Sequence, residues 1–231
     1  MHSQPEPTRI ASLFPDGVVT AECDPRATDG VLFPEEQVFL RRARPKRVME
    51  FTAGRLCARR ALRELGISDQ PLLAGEDRAP IWPEGTIGSI AHTDDYCGVG
   101  VARLGELTAL GLDVESSDPL DEDLWDTILT PPERRWLQTQ PPAEQGSLAK
   151  IIFSAKECTY KCHHPIRKGW LDFHELEIIL ELTLGAFTAR FLVDALPGFP
   201  KGTCLPGKLH LDDGRIFTGM SLPNQPGRGR A

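Results

Sequence analysis

Apolar positions along this chain recur with two periods, and the two periods divide it into helices and strands. A helical period places Val48, Phe51, Ala58, Leu62 and Leu65 on one stripe at about 100° per residue, which predicts a helix from about Arg47 to Leu65. The stretch LAKIIFSAKECTYKC predicts a second, from about Leu148 to Cys162. Its apolar side carries Leu148, Ile151, Ile152, Ala155, Cys158, Thr159 and Cys162, and its polar side Lys150, Ser154, Glu157 and Lys161. Alternating runs predict a hairpin of Ile87 to His92 with Tyr96 to Arg103, and a strand from Leu107 to Glu115. Two later pairs follow: Leu176 to Thr183 with Phe187 to Val193, and Leu205 to Leu211 with Arg215 to Leu222, turned at Asp212, Asp213 and Gly214.

A loop rich in proline and glycine runs from Ala74 to Gly88, and the proline-rich ends, Met1 to Thr8 and Pro223 to Ala231, read as loosely tethered. Helix followed by sheet occurs twice. The pattern predicts an α+β fold made by duplication of two similar α/β halves, residues 1–104 and 105–231, with no sequence identity evident between them.

Composition narrows the function. A 40% hydrophobic chain of 231 residues can bury a sizeable core. Its N-terminus, MHSQPEPTRI, lacks an apolar export segment, and no run approaches the roughly 18 apolar residues of a membrane span, so a cytoplasmic protein is expected. Six scattered cysteines without CxxC pairs are expected as reduced thiols. A net charge of -7 argues against general nucleic-acid binding. Between Arg41 and Arg63, however, basic residues dominate, and a basic element on an acidic protein indicates a focused anion site.

Three groups of residues carry candidate chemistry. In GLDVE, strand alternation puts Gly111, Asp113 and Glu115 on one face, with the two acids roughly 7 Å apart. They either grip one cation or form a solvated strand edge. Arg55 falls inside the apolar stripe of the first helix, whereas Arg59, Arg60 and Arg63 are expected toward solvent. A guanidinium on a buried stripe costs several kcal/mol unless an anion meets it, so Arg55 either pairs with an internal acid or reaches a phosphate, with Arg47 as second member. Glu157 and Lys161 are either a helix-surface pair or a third carboxylate beside Asp113 and Glu115, in an oxygen-only set suited to magnesium, with a lysine for a phosphate. Cys158 and Cys162 lie on the core stripe, which argues against zinc there. Ser89 and His92 end the loop-and-strand stretch DRAPIWPEGTIGSIAHT, where a lone histidine reads either as a packed core residue or as a ligand.

The ordered set EFTAGRLCARRAL, GEDRAPIWPEGTIGSIAH, GLDVE and FSAKECTYKCHHP, with WLDF at Trp170 to Phe173, resembles the Sfp-type 4'-phosphopantetheinyl transferases, especially the branch of the enterobactin-synthetase component D proteins. The resemblance spans residues 47–173. It implies a pseudo-twofold pair of α/β halves and transfer of the phosphopantetheine arm of coenzyme A to a serine of an apo acyl, peptidyl or aryl carrier protein of secondary metabolism, releasing adenosine 3',5'-bisphosphate. It further implies that Asp113, Glu115 and Glu157 hold Mg2+, for which Mn2+ could substitute, and that Lys161, with Lys156 in a similar role, contacts the coenzyme A pyrophosphate. Arg47, Arg55 and His92 would bind the 3'-phosphate region, assisted by Arg78 and Ser89, and Glu157 would be the base for the serine hydroxyl. A monomer is expected. Two departures stand out: Ala74 where some relatives carry lysine, and His164 where an aromatic residue is common. The competing readings are another magnesium-dependent phosphotransferase or nucleotide phosphohydrolase, and a non-catalytic relative that only binds coenzyme A or a carrier protein. The absence of a Walker-type glycine loop weighs against the former.

Overall fold

The computed structural model describes residues 8–167, 169–195 and 199–224. The chain divides into two compact units, 1–110 with 221–231, and 111–220. The elements are β1 (Val19–Cys23), α1 (Pro34–Gln37), α2 (Pro45–Glu64), β2 (Thr86–His92), β3 (Cys97–Arg103), β4 (Leu107–Ser116), α3 (Trp125–Ile128), α4 (Pro131–Gln138), α5 (Pro142–Arg167), β5 (Leu176–Glu181), β6 (Ala186–Phe191), β7 (Cys204–Asp212) and β8 (Arg215–Pro223). The fold is α+β. One sheet has the order β1-β3-β2 and the other β4-β8-β7-β6-β5.

In the first unit α2 packs on the β1-β3-β2 sheet, whose strands pair antiparallel, Cys23 opposite Cys97 and His92 opposite the same residue. The buried side of α2 is built mainly from small residues, Ala53, Gly54, Cys57, Ala58 and Ala61, flanked by Phe51 and Leu62. Val48, expected on the core stripe, is only half-buried. Arg60 and Arg63 are exposed as expected, but Arg59 is not: it is 4% exposed, because Glu36, whose two oxygens accept from Arg59 Nη1 at 2.7 and 2.8 Å, compensates its charge.

In the second unit α5 begins six residues earlier than expected and runs through Pro165 to Arg167. It packs against β5 and β6 and against β4 at Gly111. A Cβ at Gly111 would lie 2.1 Å from the Cys158 carbonyl oxygen, so only glycine lets the helix backbone approach the strand this closely. Gly111→Ala is therefore expected to destabilise the unit by about 1–3 kcal/mol or more, read as a lower midpoint in urea unfolding with an unchanged slope. The Asp213-Gly214 turn between β7 and β8 has positive φ at both residues, as a tight two-residue hairpin requires. Of the termini, residues 1–7 and 225–231 lie outside the described residues; Pro223, expected in a loose tail, instead closes β8.

Candidate functional site

The face of β4 that carries Gly111, Asp113 and Glu115 is not a solvated edge. Asp113 is 3% exposed, and α5 brings Ser154 and Lys161 onto it. The Ser154 hydroxyl donates to Asp113 Oδ2 at 2.8 Å, and Lys161 Nζ donates to Oδ1 at 2.6 Å. Thr218 on β8 completes the support: its Oγ1 lies 2.9 Å from Ser154 Oγ and donates to the Ser154 carbonyl at 3.1 Å. One residue pair further along the strand, Lys150 reaches Glu115 Oε2 at 2.8 Å. Thus the helix face expected to be polar, Lys150, Ser154, Glu157 and Lys161, is the one that meets the strand's acids.

Electrostatics in this cluster are set by burial. Burial pushes Glu157 above the usual carboxylate range; Lys161 pulls it back in part, and the charges of Asp113 and Glu115 add to the rise. Glu115 is raised by burial and by Asp113, against the pull of Lys150. Burial alone would lower Lys161, but the charge and hydrogen bond of Asp113, then Glu157, raise it overall, so it stays an ammonium. Three carboxylates without sulfur or nitrogen donors suit a hard divalent cation, and the lysines that hold two of them are counter-ions such an ion would displace. The donor set therefore fits magnesium. The acids do not close on one another in advance: among the described residues, only Cys23, Cys57 and Cys97 bring three potential ligand atoms within 4.8 Å of one another. Beside Glu157 lies a slot of about 200 Å³ lined by Tyr160, Trp170, Leu171, Phe173 and Leu176. The His164 ring lies 5.3 Å from that of Tyr160.

Lys156 has a different surrounding from the one expected. It is 1% exposed, and its ammonium donates to the Ile128 carbonyl (2.7 Å), the Phe173 carbonyl (2.7 Å) and Glu133 Oε2 (2.8 Å). All three protons of the amine are engaged, so none remains for a phosphate. The expectation of a pyrophosphate contact is corrected to that of a structural brace.

The anion-binding candidates of the first unit gather around the start of α2. Arg47, Arg42 and Arg78 line a cavity of about 460 Å³ with Phe39, Phe51 and Ala74. Arg78 adopts a left-handed backbone (φ 65°) in the Pro/Gly loop, and Ala74 lines the same cavity. Arg47 Nη1 lies 3.4 Å from His92 Nε2, and Glu50 approaches both, at 3.8 Å from Arg47 and 3.9 Å from His92 Nδ1. Arg55 is buried with its guanidinium 4.0 Å from the centre of the Phe51 ring, and Nε donates to the Leu72 carbonyl at 2.7 Å. Among the described residues it forms no ion pair, since Glu36 is taken by Arg59. Burial, resisted by Glu36, pushes Arg55 down to about 10. Ser89 is buried within β2.

A paired-carboxylate strand facing a Glu/Lys helix, with an arginine-lined cavity in the first unit, is an arrangement whose residue types suit a divalent cation and phosphate groups. Comparison with known proteins is specific. The sequence profile of the 4'-phosphopantetheinyl transferase N-terminal domain matches residues 35–102, and that of the 4'-phosphopantetheinyl transferase superfamily matches residues 109–203. The 4'-phosphopantetheinyl transferase Svp of Streptomyces mobaraensis is 39% identical over 80% of this chain and 76% of its own length. The 4'-phosphopantetheinyl transferase PptT of Mycobacterium tuberculosis is 37% identical over 82% and 85%, respectively. Enterobactin synthase component D of Escherichia coli is 36% identical over 58% and 64%. The chain belongs to the 4'-phosphopantetheinyl transferase family and is an enzyme of that class. No helix among the described residues is long and apolar enough to cross a membrane.

Proposed function

We propose that the chain transfers the 4'-phosphopantetheine arm of coenzyme A to a serine of an apo acyl, peptidyl or aryl carrier protein, with Mg2+, releasing adenosine 3',5'-bisphosphate. The observation that carries this reading is the meeting of Asp113 and Glu115 on β4 with Glu157 and Lys161 on α5. Asp113, Glu115 and Glu157 would hold the Mg2+, which would neutralise charge on the coenzyme A pyrophosphate. Ser154, supported by Thr218, fixes the Asp113 carboxylate, so that its remaining electron pairs point along a defined direction. Lys161 remains a cation and is only partly covered, so it can turn from Asp113 to a phosphoryl oxygen. Glu157 takes the serine proton as oxygen attacks the β-phosphorus and the bond to the bisphosphate leaving group breaks.

The test mixes the protein with coenzyme A, Mg2+ and an apo carrier protein and weighs the carrier intact. The expected result is a mass gain of one phosphopantetheine, lost on chelation of the metal. Asp113→Asn, which keeps the side-chain volume, is expected to remove the gain while the chain still melts cooperatively. Wild-type turnover in that variant would sink the metal assignment.

Arg47, Arg55, Arg78, Ser89 and His92 would serve the 3'-phosphate end of coenzyme A. Arg55 carries the strongest argument, because a buried guanidinium without an ion-pair partner among the described residues gains most from an arriving phosphate. Arg55→Ala is expected to weaken coenzyme A binding by about 1.5–3 kcal/mol. Binding of 3'-dephospho-coenzyme A should change much less. Equal losses for the two ligands in calorimetry would assign Arg55 to the scaffold alone.

A further inference from the structure

The first unit holds a second cluster of reactive side chains, remote in kind from the phosphate chemistry. Cys23 at the end of β1, Cys97 directly opposite it at the start of β3, and Cys57 on α2 converge so that all three sulfurs lie within 4.8 Å of one another. Cys57 and Cys97 are 3% and 0% exposed, whereas Cys23 is half-buried and opens the cluster to solvent. The sulfurs of Cys57 and Cys23 lie 2.8 Å apart.

We propose that Cys23, Cys57 and Cys97 form a three-thiolate site for one soft divalent metal ion of the zinc class. Thiolate ligands select such ions over the hard cations suited to the carboxylate cluster, so the two sets would not compete for one metal. With metal–sulfur bonds of about 2.3 Å, tetrahedral coordination spaces the sulfurs by about 3.8 Å, which three sulfurs within 4.8 Å reach by side-chain adjustment. The fourth position falls on the open side at Cys23 and is filled by water. Binding releases the protons of the thiols that ligate the ion. The Arg60 guanidinium, 4.0 Å from Cys57 Sγ, balances the single negative charge left on a divalent ion with three thiolates. A disulfide would employ only two of the sulfurs, and the convergence of the third is what distinguishes a metal site.

The full-length chain, reduced and stripped of metal, is titrated with Co2+ and then with Zn2+. One equivalent of Co2+ is expected to produce sulfur-to-cobalt charge-transfer absorption, which one equivalent of Zn2+ removes. Cys57→Ser and Cys97→Ser should each weaken Co2+ binding by roughly tenfold or more. Cys204→Ser, which alters an exposed thiol outside the cluster, should leave it unchanged. If either buried variant no longer melts cooperatively, Cys23→Ser at the open rim gives the same reading. The proposal is overturned by absence of the absorption in the wild-type chain, by its survival in Cys23→Ser, or by its loss in Cys204→Ser.

Discussion

Glu157→Gln is expected to lower the single-turnover transfer rate by roughly 10²- to 10⁴-fold, with the deficit persisting at saturating Mg2+ or Mn2+. The amide retains an oxygen that can ligate weakly, so a purely ligating role predicts rescue by excess metal. Loss of a base does not. The structure favours the second outcome on two grounds. Burial raises the affinity of Glu157 for a proton, which brings it closer to the range in which a base works at neutral pH. Asp113 and Glu115 each have a lysine within 2.8 Å, whereas no comparably close ion pair ties Glu157 among the described residues. Full recovery of the rate with metal would remove Glu157 from proton transfer and leave the transferase assignment standing.

Much of this site was legible in the sequence because β4 and α5 each carry it at a regular spacing. GLDVE fixes which residues share a strand face, and Ser154, Glu157 and Lys161 follow the helical period, so their meeting required only that the helix pack on that strand. Gly111 was the available signal for that packing, since it is the residue on the same face that leaves room for a helix backbone. Partnerships between distant residues were not legible. A helical wheel sorts the charge of Arg59 outward, and nothing in local sequence reveals that Glu36 waits in the core. The same holds for Lys156, whose partner Glu133 is equally remote in sequence. Strand β1 gives no clear signal, because VTAEC is short and mixes polar with apolar residues. The cysteine cluster depends on three elements whose pairing no spacing encodes.

A further correspondence lies in the sequence itself. LFPEE at Leu32 to Glu36 and LTPPE at Leu129 to Glu133 share leucine, proline and glutamate at the same positions, and each glutamate meets a cation 23 residues on, Arg59 or Lys156. In both cases the proline opens a short helix and the glutamate turns back onto the amide at the helix entry, Phe33 at 2.9 Å or Thr130 at 2.7 Å. In both cases a second backbone amide also donates to it, Leu72 at 2.9 Å or Ile178 at 2.6 Å. Each unit thus repeats one buried acid-cation brace between a short helix and its long helix. This is the sequence correspondence between halves that their overall composition hides.

The brace of the second unit is where the largest loss of stability is expected. Lys156→Met should cost about 3–5 kcal/mol, because it leaves Glu133 charged and buried without its cation. The carbonyls of Ile128 and Phe173 lose a donor as well. Glu133→Gln, which strands the ammonium instead, should cost a similar amount. The double variant should cost less than the two single losses combined, since removing both charges avoids the uncompensated ion that each single change creates. Urea unfolding of the four proteins measures this coupling. Additive losses would mean that the two groups act independently and that the brace reading is wrong. Activity separates the brace from the phosphate role. Per folded molecule, Lys156→Met should keep a KM for coenzyme A close to wild type, because its amine has no proton left to offer a ligand, whereas Lys161→Met should lose turnover.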